Sequence, residues 1–185
     1  MPPRPFPFPL RVGTDICSIK RIQTLLCSHQ SPQRRLERFL PKLLTWPERQ
    51  YFRSRFPSSH LRDNNLNGVS VFLAGRWAAK EACRKACEHL GTSNGFHSTI
   101  ILPITAPGND LDRETTRPRG LILRERLPER TFVRSELDDA PGTWGDMVFD
   151  IDSVESQFCE VSISHDNDWA TAVAIVPVLD WQHKT

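Results

Sequence analysis

No run of apolar residues in this sequence approaches the roughly 20 needed to cross a bilayer as a helix, so no membrane span is expected. The N-terminus has no continuous apolar stretch of the secretory type, so no cleaved signal is expected either. A disulfide framework is missing too. Cys17, Cys27, Cys83, Cys87 and Cys159 make an odd count at irregular spacing, which predicts reduced thiols in an intracellular protein. Cys83 and Cys87 stand four apart on an expected helix, but no second pair completes a zinc set. Neither a P-loop nor GxGxxG occurs, which removes the usual glycine-rich phosphate cradles. No internal repeat is present, so a solenoid is not expected. What is there suits one soluble globular domain: 185 residues, 38% hydrophobic, with a mean hydropathy of −0.42.

The net charge of +2 conceals an uneven distribution. Between Lys20 and Arg62, ten Lys and Arg face only Glu37 and Glu48, giving +8 there and −6 over the remainder. A basic segment of that size attracts nucleic acid, an anionic membrane or an acidic protein, unless it is simply a solvated Arg-rich surface. Residues 1–10 are proline-rich and acid-free, which predicts an extended arm rather than a helix. Their charge bias resembles a mitochondrial leader, whereas the missing amphipathic helix does not.

Residues 11–179 read as the folded domain, with 180–185 as a tail. LRVGTDI (10–16) predicts a strand whose apolar face is Leu10, Val12 and Ile16. Residues 18–27 take helical spacing through Ile19, Ile22, Leu25 and Leu26, and residues 33–44 through Leu36, Phe39, Leu40 and Leu43. In TWPE, Thr45 and Glu48 have capping-box spacing and Pro47 suits a first turn, so a helix runs from there to Phe56. A loop follows, then a long helix from Phe72 to Leu90, with Phe72, Leu73, Trp77, Ala78, Ala82, Ala86 and Leu90 inward and Gly91 as its stop. Residues 92–157 are loop-rich, with strands expected at 98–104 and 120–125. The strands at 158–164 and 170–178 form an antiparallel hairpin with His165 at its rim.

Three short stretches carry chemistry. In GTDI, Gly13 lets backbone approach closely, and Asp15 is either a helix cap or a cation ligand. In RWAAKEACRK, Glu81 and Lys85 have the spacing of a helical ion pair. The excess of Arg76, Lys80, Arg84 and Lys85 over Glu81 and Glu88 also suits a phosphate-rich ligand with a divalent ion. In SISHD, His165, between Ser164 and Asp166, could bind phosphate, donate a hydrogen bond, shuttle a proton, or merely sit in a turn.

In chain order, GTDICSIKRI (13–22), FLAGRWAAKEACRKA (72–86) and VSISHDNDWATAVAIV (161–176) closely resemble three blocks of the holo-acyl-carrier-protein synthase family, the small 4′-phosphopantetheinyl transferases. The resemblance implies an α+β fold with a long helix on an antiparallel sheet and an expanded loop and strand region after that helix. It implies transfer of phosphopantetheine from coenzyme A to a serine of an apo acyl carrier protein. Adenosine 3′,5′-bisphosphate is the by-product, Mg2+ is required, and the assembly is a homotrimer with sites between subunits. Carried over residue by residue, Asp15 and Glu81 are the metal ligands. Lys85, Lys80 and Arg76 lie on the phosphate side, and His165, with Ser164 beside it, lies near the nucleotide and across an interface. The implied catalytic set is Asp15, Glu81, Lys85 and His165, with Glu81 or a water on the metal as the base. Arg21 faces the carrier protein, and Arg34, Arg35 and Arg38 extend a docking surface for an acidic partner.

Two departures from the family pattern stand out. Arg84 occupies a place where a small residue is common, adding a cation for the phosphates. The region between Gly91 and Phe158 is expanded, with RPRG (117–120) as the remnant of a shorter turn. Its loops would block a threefold interface or decorate its rim. The insertion and the arm point to a eukaryotic, fungal-type enzyme serving mitochondrial fatty-acid synthesis, a location favoured over the cytoplasm. Two other readings compete. A non-catalytic module that only binds coenzyme A or the carrier would not need Asp15 and Glu81 intact. A nucleic-acid-binding protein would want more interleaved aromatics and no metal.

Overall fold

The computed structural model describes residues 8–27, 32–57, 66–87, 95–103, 117–128 and 149–178. In chain order these form β1 (Leu10–Ser18), α1 (Ile19–Cys27), α2 (Pro32–Leu43), α3 (Trp46–Arg55) and α4 (Leu66–Ala86), then β2 (Thr99–Pro103), β3 (Pro118–Leu123), β4 (Ser156–Asp166) and β5 (Trp169–Pro177). A 3-10 turn at Phe96–Ser98 leads into β2, and another at Ile151–Ser153 precedes β4. The five strands make one antiparallel sheet in the order β1-β5-β4-β3-β2. The α+β fold with a long helix on an antiparallel sheet is thus the observed one, and the strands of the region after that helix extend the sheet.

Helix α4 lies across β1, β5 and β4. Both sides of that contact are built from small residues: Ala78, Ala79, Ala82 and Ala86 on the helix, and Gly13, Cys17, Ala170, Ala172 and Ala174 on the sheet. Small side chains let the two layers approach, and Gly13 shows the limit. A Cβ there would overlap the carbonyl oxygen of Ala82 and the backbone nitrogen of Ala86. Glycine at position 13 therefore answers to steric room rather than to backbone freedom. Helices α1 and α2 add Ile19, Ile22, Leu26, Leu36, Leu40 and Leu43 to the same core. Each fully buried aliphatic of that kind contributes about 1.5–3 kcal/mol.

Helix α4 differs from the expected Phe72–Leu90. It begins six residues earlier, at Leu66, because Leu66 and Val69 continue the apolar stripe through a segment whose composition resembles a loop. Leu90 and Gly91 lie outside the described residues. The burial is not one-sided either: Arg76 and Lys80 are enclosed along with the alanines.

Strand β1 is reversed relative to expectation. Leu10, Val12 and Ile16 point away from α4, with Val12 63% and Ile16 59% exposed, while Gly13 and Cys17 face inward. The register sets Val12 beside Ile175 and Thr14 beside Val173, so the outer face of β1 and β5 is largely apolar, interrupted by Thr14 and Thr171. At the other end of the sheet the outer face is covered. Ile100, Leu102, Leu121 and Leu123 pack with Leu127, Phe149, Ile151, Val154 and Phe158. The described part of the 92–157 region therefore closes the β2–β3 end and leaves the β1–β5 end bare. Pro118, Arg119 and Gly120 of RPRG lie within β3 rather than forming a separate turn. In α1, Leu25 is exposed, so only Ile19, Ile22 and Leu26 of the expected stripe turn inward.

Candidate active site

Asp15 lies inside β1, three residues short of the strand's end, so the helix-cap alternative does not hold. Ser18 takes that role instead, its Oγ accepting from the Arg21 N–H at 3.2 Å. Two residues beyond Gly13 on the same side of the strand, Asp15 faces the C-terminal half of α4. Lys85 Nζ donates to Asp15 Oδ1 at 2.8 Å and to the Thr14 carbonyl at 2.9 Å. Glu81 is one turn back on the helix and is held by Arg84, whose Nε and Nη2 lie 2.9 and 2.7 Å from Glu81 Oε2. The expected Glu81–Lys85 pair is therefore replaced by two others, because Lys85 reaches across to the strand. Both carboxylates are mostly buried, whereas both cations are about half exposed. Two carboxylates of this kind, open to solvent on one side, match the one or two protein ligands that magnesium takes among water and phosphate oxygens. No cluster of three or more His, Cys, Asp or Glu that could hold a metal occurs among the described residues, so a closed all-protein cage is not what this geometry offers.

Lys80 does not join this group, which corrects the expectation that it supports phosphate binding. Its ammonium is fully enclosed, and all three N–H groups are used, each at 2.7 Å: on Glu48 Oε2 and on the carbonyls of Phe96 and Thr99. Burial pulls its pKa below the usual lysine value, against the opposing charge and hydrogen bond of Glu48. Glu48 is equally enclosed. Its Oε2 also accepts from the Thr45 N–H (2.8 Å) and hydroxyl (2.7 Å), and Oε1 accepts from the Ile101 N–H (2.9 Å). The TWPE cap is thus also a buried ion pair tying α3, α4 and β2 together.

Arg76 is 7% exposed, its guanidinium 4.6 Å from the centre of the Phe72 ring. Burial lowers its pKa, with Glu48 and Tyr51 acting the other way. Among the described residues its Nε has no hydrogen-bond partner, an orphan that a bound anion would satisfy.

His165 and Ser164 are both exposed near the end of β4, and the strand extends through Asp166 so that the turn is only Asn167 and Asp168, with Asn167 at φ 46°. Strand alternation puts them on opposite faces. His165 shares a row with Ala170 and Cys17 on the helix side, and Ser164 one with Thr171 and Ile16 on the outer side. Within one chain His165 is not beside Asp15. Two strand spacings and two residues separate them, roughly 12 Å.

Among the expected docking residues, Arg34 and Arg38 are exposed and Arg35 is half-buried, its Nη1 donating to the Leu25 carbonyl at 3.5 Å. The Arg21 guanidinium lies 5.1 Å from the Trp77 ring centre, with its aliphatic stem on α1 and its charge on the surface. Cys83 and Cys159 sulfurs are in contact at 3.8 Å, which raises the Cys83 pKa, and burial pushes Cys87 up to about 12. Such thiols are inert at neutral pH. Sequence reasoning missed Glu48 as the partner of Lys80. Its capping-box spacing was visible, but nothing local marks a contact 32 residues away.

Comparison with known proteins supplies the context. The sequence model of the 4′-phosphopantetheinyl transferase superfamily matches residues 11–139. The chain is 38% identical over 105 residues to 4′-phosphopantetheinyl transferase B, mitochondrial, of Aspergillus fumigatus, covering 52% of this chain and 66% of that relative. It is 31% identical over 163 residues to the holo-[acyl-carrier-protein] synthase of Wolinella succinogenes, covering 88% of this chain and 92% of that one. Among solved structures it is similar to a holo-ACP-synthase from Plasmodium yoelii, at 15% identity and TM-score 0.47, over 89% of this chain and 91% of that one.

Proposed function

The chain belongs to the 4′-phosphopantetheinyl transferase superfamily, and from that premise we propose that it moves the 4′-phosphopantetheine group of coenzyme A to a serine of an apo acyl carrier protein. The observation that carries the reading is the reach of Lys85 on α4 to Asp15 on β1, one helical turn from Glu81 and its partner Arg84. Asp15 and Glu81 would hold the magnesium ion. When bound, that ion supplies neutralisation of charge on the diphosphate.

The chain's own groups do the rest. The serine oxygen forms a bond to the β-phosphorus of the diphosphate as the bond to the bridging oxygen breaks, and adenosine 3′,5′-bisphosphate leaves. Such a displacement needs in-line positioning and charge neutralisation more than a strong base. Lys85 and Arg84, half exposed above the carboxylates, face the phosphate oxygens, and Glu81 or a water held at the site takes the proton of the serine hydroxyl. Arg76, with its unpartnered Nε, serves a more distant phosphate. Lys80 has no donor left for a ligand and acts by holding α4 in place.

Two finer points belong to this reading. The bare apolar face of β1 and β5 is the surface on which subunits associate into a trimer, and this association brings His165 of one subunit to Asp15 and Glu81 of the next. The basic surface of α1 and α2 receives an acidic carrier. The mitochondrial name of the Aspergillus relative, together with the acid-free first ten residues, supports a mitochondrial location.

Intact-mass spectrometry tests the reaction. Apo carrier protein incubated with enzyme, coenzyme A and Mg2+ gains one phosphopantetheine, and EDTA prevents it. The rate at low carrier concentration falls several-fold between about 50 and 300 mM salt, as expected for encounter steered by opposite charges. No mass gain with coenzyme A still bound would mean a non-catalytic binding module. A mixing experiment tests the shared site. His165→Ala and Glu81→Ala proteins, each inactive alone, regain activity after their subunits are exchanged. Failure to recover, with exchange demonstrated, would mean that each chain works with its own His165.

A further inference from the structure

Each carboxylate of the candidate site is matched by one cation from the end of α4. Arg84 holds Glu81 Oε2 through two nitrogens, at 2.9 and 2.7 Å, and Lys85 holds Asp15 Oδ1 at 2.8 Å. The second oxygens, Asp15 Oδ2 and Glu81 Oε1, accept no hydrogen bond from the described residues. The formal charge of this quartet is zero. With Lys85 alone it would be −1, and a divalent cation would be drawn in unaided. With Arg84 present, a divalent cation entering by itself brings the quartet to +2, against two neighbouring positive charges. A diphosphate brings about two negative charges, so metal and diphosphate together restore neutrality.

We infer that Arg84 makes metal binding conditional on the diphosphate of coenzyme A. While the guanidinium holds Glu81, the site takes a divalent cation weakly. The diphosphate is a better acceptor for a guanidinium than one carboxylate oxygen, so its arrival draws Arg84 away and releases Glu81 to the metal. The Arg84 side chain is 53% exposed, so the swing moves a group at the surface. The inference rests on the reading of Asp15 and Glu81 as the metal pair.

The test is Mn2+ affinity, read by electron paramagnetic resonance on the purified protein with and without coenzyme A. In the wild type, coenzyme A tightens Mn2+ binding about 10- to 100-fold, an ordinary coupling between linked sites. In Arg84→Gln, Mn2+ alone binds about three- to tenfold tighter, and the coupling falls by the same factor. Arg84→Lys restores most of the coupling, because it restores the charge. Equal Mn2+ affinity in wild type and Arg84→Gln, measured without coenzyme A, overturns the inference and leaves the metal pair standing. Mn2+ binding that survives Glu81→Ala overturns the metal pair and the inference with it.

Discussion

Glu81→Ala and Asp15→Ala each lower the rate of carrier modification by about 10²- to 10³-fold or more, the scale on which a lost electrostatic contact to a charged transition state is felt. Both variants stay folded. Each carboxylate's only described partners are a half-exposed cation at the surface, Arg84 for Glu81 and Lys85 for Asp15, and for Asp15 the bond sits beside a second one from Lys85 to the Thr14 carbonyl. Exposed pairs of this kind contribute about 0–1 kcal/mol, and the cation left behind stays hydrated. The signature is therefore a rate loss with a melting temperature within a few degrees of wild type and a matching loss of Mn2+ binding. Single-turnover kinetics with the carrier weighed at each time point gives the rate. Full activity in either variant would remove that residue from the site.

Lys80→Met has the opposite signature. Glu48 would keep its charge in an enclosed space with its ammonium partner gone, and breaking a buried ion pair from one side costs about 3–5 kcal/mol. For a domain of this size that is a fall in melting temperature of roughly 6–20 °C. The carbonyls of Phe96 and Thr99 lose a donor at the same time, and Glu48 keeps only Thr45 and Ile101. Adding Glu48→Gln removes the stranded charge while keeping an amide that can bond to Thr45 or Ile101, so the double variant recovers part of the loss. Below its melting temperature, Lys80→Met keeps a near-normal KM for coenzyme A. A KM raised tenfold or more with stability unchanged would restore Lys80 to the phosphate site. Chemical denaturation and steady-state kinetics on the same preparations separate the two outcomes.

Lys80 and Lys85 show what the chain discloses locally and what it does not. The hairpin at the C-terminus alternates Cys159, Val161 and Ile163 against Glu160, Ser162 and Ser164, and the structure keeps that alternation. The start of α3 was legible because a cap and its acceptor are three residues apart. Asp15, Glu81 and Lys85 stood out through the family resemblance, yet the pairing among them did not. The bond between Lys85 and Asp15 spans 70 residues, while the sequence offers Glu81 at the favourable helical spacing. Lys80 and Glu81 are adjacent in the chain, and a helix sends them to different surroundings about 100° apart. Strand β1 misled for another reason. Alternation shows two faces but not which is covered, and here the covered face is the one with glycine and cysteine. Only the tight fit of a helix against the strand explains that choice, and helix contact is a property of two segments.

The Gly13 contact has a consequence for drift. Main chain rests against main chain there, so the gap between the strand that carries Asp15 and the helix that carries Glu81 is gauged by atoms every residue shares. Exchanges of Leu for Ile or Val elsewhere in the core can change fit and stability without altering that gauge. A lineage could therefore rewrite most of its interior, and lengthen the region after α4, while the two carboxylates keep their setting. At position 13 a single added methyl group would throw that setting off.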